Sequence, residues 1–298
     1  MKKLTLLLAS AIICLSVSAQ NDTIKPNQGK DTIRIGSMVI VKEGKNKNGK
    51  SRVKKITMGG NQETGKKRNI STNWGILDLG FSNYDDNTNY GNTGSYLVNR
   101  PGYPPLGKND FKLRTEKSIN VNFWFFMQKV NLVKHYINLK YGLGIESNNF
   151  RYKIYDNIPS ISYREGGNIP YTSGTQTTSP FIFRDSISFS KNKLVTNYLT
   201  IPLMLNFASN PHNNRKGVSL SLGFSAGYLY NQHNKQVSNE RGKRKNRGDY
   251  DLERFKFSYV AELGLGPIRF YGSYSPQSMY ERGLDMRPYT VGLRFSNW

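Results

Sequence analysis

The chain has a single cysteine, Cys14, near its N-terminus, and three scattered histidines, His135, His212 and His233. Acidic residues are scarce, 20 against 43 basic ones. After residue 19 no apolar run is long enough to cross a bilayer as a helix. Each shortage removes a class of chemistry. One cysteine that leaves with a cleaved leader allows no disulfide, no thiol nucleophile and no cysteine-bound metal in the mature chain. Histidines so far apart do not announce a metal cluster or a catalytic triad. An exported chain of this length without disulfides must hold itself by burial or by a membrane.

The first segment explains the compartment. Lys2 and Lys3 precede an apolar run from Leu4 to Leu15, followed by Val17, Ser18 and Ala19, which predicts a secretory signal over residues 1–19 with cleavage after Ala19. A lipoprotein signal at Cys14 is the alternative, but Ile13 is a poor residue to precede a lipidated cysteine. Residues 20–73 carry thirteen basic and four acidic residues. They predict a basic periplasmic segment, weakly structured or a small hairpin. Thr32–Ile35 and Met38–Val41 read as short strands, Asn46–Gly49 as a turn, and Ser51–Met58 as a return strand.

From Trp74 the pattern is period two. Ile137, Leu139, Tyr141, Leu143 and Ile145 alternate with Asn138, Lys140, Gly142, Gly144 and Glu146, which a helix would scatter around its axis. The same alternation runs through 119–127, 195–207, 218–228, 255–263, 268–274 and 289–295, and a first strand spans Trp74–Asn83. In 119–127, Ile119, Val121, Phe123, Phe125 and Met127 are read on one face. Pro202 interrupts a strand and predicts a bulge or kink. The total is eight strands, an even number, as an antiparallel outer-membrane barrel requires. Connections alternate in length: 84–115, 154–185, 231–250 and 275–287 are long, and 128–135, 208–216 and 264–267 are short. The fold expected is all-β: an eight-stranded antiparallel transmembrane β-barrel over 74–298, with long extracellular loops and short periplasmic turns.

Low mean hydropathy, −0.60, does not oppose this, because such a barrel shows lipid only every second residue. Gly, Ser and Asn crowd the polar face and suit a narrow lumen, so the aliphatic face is assigned to lipid. Tyr136, Phe150, Phe207, Tyr228, Tyr230, Phe255, Tyr289 and Phe295 are expected in interfacial girdles. The lumen then receives Asp78, Lys140, Glu146, Lys256, Glu262, Arg269 and Arg294. Eight strands leave room only for side chains, so these charges are expected to pair, with Glu262 facing Arg269 or Arg294.

The segments Lys193-Leu194-Val195-Thr196 with Tyr198-Leu199-Thr200-Ile201-Pro202-Leu203, and Asn138-Leu139-Lys140-Tyr141-Gly142-Leu143-Gly144, resemble the outer-membrane β-barrel family of Bacteroidota, which includes PorT-like proteins. The closing Tyr289-Thr290-Val291-Gly292-Leu293-Arg294-Phe295 is similar to that family's last strand. The resemblance implies insertion by the barrel-assembly machinery, with Tyr289, Val291, Leu293 and Phe295 as the C-terminal signal, and for PorT-like members a tie to type IX secretion. Trp298 is out of phase with that signal.

No catalytic, cofactor or metal site is expected. His233 has only Asp249 as a nearby candidate partner, and Gly166-Gly167 lacks the strand-to-helix setting of a phosphate loop. The formal charge is +23, or +21 without Lys2 and Lys3. After export, the polyanions within reach are lipopolysaccharide phosphates and anionic headgroups, not nucleic acid. Arg241, Lys243, Arg244, Lys245 and Arg247 are either a solvated, mobile loop or a lipopolysaccharide contact. The function expected is that of a non-enzymatic structural, binding or secretion-accessory barrel. A solute channel and a soluble periplasmic binding barrel are the alternatives.

Overall fold

A computed structural model describes residues 31–35, 38–45, 51–58, 68–156, 158–211 and 217–296. Residues 1–19, expected as a signal segment and holding Cys14, the turn expected at Asn46–Gly49, His212 and Trp298 lie outside the described residues. The chain divides into two units, residues 1–67 and 68–298. In the first, strands Asp31–Ile35, Met38–Lys45 and Ser51–Met58 form an antiparallel sheet in chain order, with Ile40 opposite both Ile33 and Ile56. That is a three-stranded meander, one strand more than a hairpin.

Alternation in the second unit produces eight strands: β1 (Ile70–Asp86), β2 (Ile119–Val133), β3 (Ile137–Arg151), β4 (Lys191–Ala208), β5 (Val218–Ser238), β6 (Phe255–Leu265), β7 (Ile268–Tyr274) and β8 (Met286–Phe295). Each pairs antiparallel with the next. The ring closes where β8 meets β1, from Leu77 opposite Phe295 to Asp86 opposite Met286. Closure leaves no unpaired edge, so every strand finds its ladder partners inside the chain.

The aliphatic columns face outward. Leu199, Ile201, Leu203, Leu205 and Phe207 on β4 are all exposed, Ile201 at 56%, while their neighbours Thr200, Pro202, Met204 and Asn206 are buried. The same holds on β1 for Leu77, Leu79 and Phe81 against Asp78 and Ser82. A water-soluble barrel would invert this arrangement. Ile, Leu and Phe outside, with Asn, Ser and charge inside, is a surface made for acyl chains.

One detail departs from simple alternation, and two residues differ from their sequence expectation. On β2 the register against β3 slips between Trp124 and Phe126, leaving Phe125 as an extra residue. This bulge turns Met127 inward beside Trp124 and Ile76, although period two assigned it outward. Gly75, at φ +66°, sits across from the bulge in β1, where a side chain would be strained. Phe150, read as a girdle residue, is buried at 1% because it shares the parity of Lys140 and Glu146 on β3. At Pro202 no bulge forms. The register to β3 is the same on both sides, from Thr200 opposite Gly144 to Leu203 opposite Tyr141, and two pairs drop out between them. The β5 ladder continues past Pro202, opposite Ser225, so the lost donor costs a local gap and no change of phase.

Strands also run farther than their hydrophobic patterns. β3, β4 and β5 continue past the apolar band to Arg151, Lys191 and Ser238. The long connections do not hang free. Strand Phe181–Arg184 pairs with Ile161–Arg164 and runs parallel to Leu97–Val98. Tyr96, Phe111, Tyr152, Tyr163, Tyr250 and Tyr280 from the loops share one buried cluster with Phe150, Leu194, Tyr198 and Leu229 from the inward strand tops. Because loop and lumen residues belong to one cluster, the loops close the outer mouth of the barrel.

Candidate functional site

The inward positions collect charge from five of the eight strands. Asp78 comes from β1, Lys140 and Glu146 from β3, Lys256 and Glu262 from β6, Arg269 from β7, and Arg294 from β8. Asp78 and Lys140 are fully buried, and the other five are nearly so. The structure brings all seven into pairs. Glu262 accepts hydrogen bonds from Lys140, from Arg294 and, at 3.1 Å, from Arg269 Nη1. Asp78 receives Arg294 as a fork, Nε and Nη2 each at 2.7 Å. Higher in the lumen, Lys256 donates to Glu146 and lies 4.6 Å over the Tyr198 ring. Arg294 therefore bridges two carboxylates on different strands, forking to Asp78 and using a further donor for Glu262, an arrangement that suits the five-donor guanidinium.

Neutral side chains of the same parity complete the network. Trp124 Nε1 donates to Asp78 at 2.7 Å and Asn122 Nδ2 at 3.3 Å. Asn120 Nδ2 donates to both Asn122 and Asn148 at 2.8 Å, and Asn120 Oδ1 accepts a hydrogen bond from the Tyr271 hydroxyl. The Arg294 guanidinium also lies 5.4 Å from the Trp124 ring and 5.7 Å from that of Tyr271. Space for these long side chains comes from inward glycines. Gly80 and Gly292 face each other across the β1–β8 seam, and a Cβ on Gly292 would overlap the Leu79 carbonyl and Gly80 Cα.

Charges this deep are tolerated only when paired, and removing one partner of such a pair typically costs about 3–5 kcal/mol. Four cations face three carboxylates here, each within reach of an opposite charge. Among the lining of Asn122, Trp124, Pro202, Met204, Tyr271 and Arg294 a cavity of about 30 Å³ remains. That is room for a water or two, not a solute.

A second polar cluster lies in the loops. Arg184, fully buried, pairs with Asp110 at 2.7 Å and donates to the carbonyls of Pro159 and Pro104. Tyr163 joins Tyr152 (2.5 Å) and Tyr280 (2.7 Å) through their hydroxyls, and burial pushes the Tyr152 phenol up to about 12. The Asp110–Arg184 pair had no sequence signal, since neither residue lies in a periodic segment. Asn120, Asn122 and Trp124 did have one: they share the inward phase of β2.

The other sequence-derived candidates scatter. His233 is buried in the upper part of β5, and its Nδ1 has no partner among the described residues. Asp249 instead accepts from the backbone of Asp251 and from Gln232. His135 occupies a tight turn after β2, at φ +63°. Among the described residues no three His, Cys, Asp or Glu side chains gather as a metal would need. Residues 241–247 form a hairpin rather than a loose loop, because Gly242–Asn246 pairs with Asn234–Ser238 of β5. Arg241 bonds Asp185 at 3.0 Å, and Arg244 Nε donates to the Arg241 carbonyl. Tyr289, Val291, Leu293 and Phe295 all point outward on β8.

Comparison with known proteins fits this geometry. The family model described as an outer membrane protein beta-barrel domain matches residues 62–284. No curated protein matches. One solved structure, described as "Asymmetric conductivity of engineered proteins", shares 9% identity over 76% of this chain and 99% of that one, at a TM-score of 0.16, too loose a superposition to bear on the fold. With eight strands closed on themselves, lipid-facing aliphatics and a family match across most of its length, the chain belongs to the outer-membrane β-barrel domain family.

Proposed function

We propose that this barrel works as a sealed, non-enzymatic platform, a structural, binding or secretion-accessory component, and not as a conduit. The observation that carries the reading is Glu262, held at once by Lys140, Arg269 and Arg294 from three other strands across the lumen. An ion crossing the barrel would have to break these pairs with nothing to replace them. The aromatic cluster above adds a second barrier. With the interior occupied, the surfaces left for function are the outer loops, the outward strand tops and the N-terminal unit. β1 begins at the short-turn end of the barrel, which supports a periplasmic N-terminal segment. The resemblance to PorT-like proteins favours a secretion-accessory role, and the outward Tyr289, Val291, Leu293 and Phe295 suit recognition by the barrel-assembly machinery.

Single-channel recording in planar bilayers tests the sealed lumen. The wild-type chain should show no stable open level, and a reproducible conductance step would overturn the proposal.

A further inference from the structure

Above the apolar band, the antiparallel registers align four cations from four successive strands. Arg151 on β3 lies opposite Lys193 on β4, Lys193 opposite Lys235 on β5, and Lys235 opposite Lys245 of the Gly242–Asn246 strand. Directly opposed residues project from the same side of a sheet. Here that side is the outer one, since Phe150, Asn192, Leu194, Asn234 and Gln236, of the other parity, are buried. The next row adds Lys191 and Lys243 on either side of Val237. With neighbouring strands about 4.8 Å apart, the four-residue row is about 14 Å wide.

Six cations thus share one face. None of them forms an ion pair with a carboxylate among the described residues, although the lumen cations do. Among the described residues the Lys193 ammonium finds only the neutral Asn149 amide oxygen. Like charges set directly opposite each other across strands repel. A strip that keeps four of them in line and offers no counter-charge is built to meet one from outside.

Height identifies what that charge is. Along β3 the outward residues run Ile137, Leu139, Tyr141, Leu143, Ile145, then Ser147, Asn149 and Arg151. From Ser147 to Arg151 is about 13 Å of strand, or about 10 Å of height at the usual tilt. On β4 the same parity runs from Leu199 through Asn197 and the buried Val195 to Lys193, so a cation again stands above the apolar band. The cations therefore stand at headgroup level around a barrel whose lower face is in lipid.

We infer that the row Arg151–Lys193–Lys235–Lys245, flanked by Lys191 and Lys243, binds the phosphate groups of an outer-leaflet lipid such as lipopolysaccharide. This rests on the membrane orientation argued above, and it redistributes the basic cluster at 241–247. Lys243 and Lys245 join the lipid-facing strip, and Arg241 is committed to Asp185.

The test uses the full mature chain in neutral detergent, titrated with fluorescent bis-phosphorylated lipid A, with the same lipid dephosphorylated, and with inorganic phosphate as competitor. Wild type should bind the phosphorylated lipid at least about tenfold more tightly than the dephosphorylated one, and more weakly as salt rises. Replacing Arg151, Lys193, Lys235 and Lys245 together by Gln should remove that preference. Replacing Arg244 and Arg247 by Gln should leave it within about twofold, and an all-Arg row should retain it. Heat-modifiable gel migration of each variant reports the barrel independently, so a folding failure is not mistaken for lost binding. The inference is overturned if a folded four-Gln variant keeps the preference, if both lipids bind alike, or if millimolar inorganic phosphate displaces the lipid completely, which would mark a free-anion site.

Discussion

The lumen and the outer strip use the same residue types to opposite ends. Inside, Lys140, Lys256, Arg269 and Arg294 each meet a carboxylate. Outside, Arg151, Lys193, Lys235 and Lys245 stand side by side and meet none among the described residues. Water explains the contrast only in part. A buried cation must be paired because its desolvation is otherwise uncompensated, whereas an exposed one may keep its hydration. Solvation permits a bare cation, but it does not line four of them up across a register. The lumen charges hold the barrel to itself, and the strip faces whatever surrounds it.

The sharpest way to break the comparison is at Glu262. Glu262→Gln leaves Lys140, Arg269 and Arg294 without their shared carboxylate, although Arg294 keeps Asp78. A loss of about 3–5 kcal/mol is expected from urea unfolding of the detergent-refolded barrel, read as a lower midpoint at unchanged slope. If the midpoint hardly moves, the lumen pairs are no more coupled than surface ones, and the distinction collapses.

How these regions were legible in the sequence follows from the same physics. Parity alone assigned Asp78, Lys140, Glu146, Lys256, Glu262, Arg269 and Arg294 to one side of a closed sheet, because in a strand every second residue shares a face. It failed where the backbone broke step. Phe125 bulges and carries Met127 inward, and no residue at that point announces the slip. Phe150 was misplaced for another reason: aromatic character was weighed above its phase with Lys140. The outer strip was half visible. Lys243 and Lys245 stood out as part of a basic run, but Arg151, Lys193 and Lys235 are far apart in sequence and meet only through register. The loop cluster around Tyr163 and Arg184 left no periodic trace, since loops bury residues without a repeat.

An intermediate effect is expected at the boundary between the two regimes, where Arg241 of the basic hairpin is paired. Burial pushes the Asp185 carboxyl up, but hydrogen bonds from Ser162, Arg241 and the Ser186 amide outweigh it and leave the group below its ordinary value. A depressed carboxyl contributes stability above the unfolded-state value, and that contribution is lost as pH falls through the folded one. Acidification below the ordinary aspartate range should therefore loosen the Gly242–Asn246 hairpin first. Limited proteolysis at 239–247 with an acid-active protease should accelerate there in wild type. Arg241→Gln should already be cleaved faster at neutral pH and gain less on acidification. Equal acceleration in both would mean that Asp185 does not anchor the hairpin.

The smallest effect has the opposite sign to the first. Lys235 is flanked by Lys193 and Lys245 at directly opposed positions, so Lys235→Gln relieves two like-charge contacts. In detergent without anionic lipid the variant should be more stable than wild type by about 0.2–1 kcal/mol. The gain should vanish near 1 M salt, where the screening length is about 3 Å. Adding phosphorylated lipid should reverse the order, because only the wild-type row keeps its full complement of cations for the anion that stabilises it. A variant less stable than wild type in every condition would mean that Lys235 is held by packing, and that the row is an accident of register rather than a site.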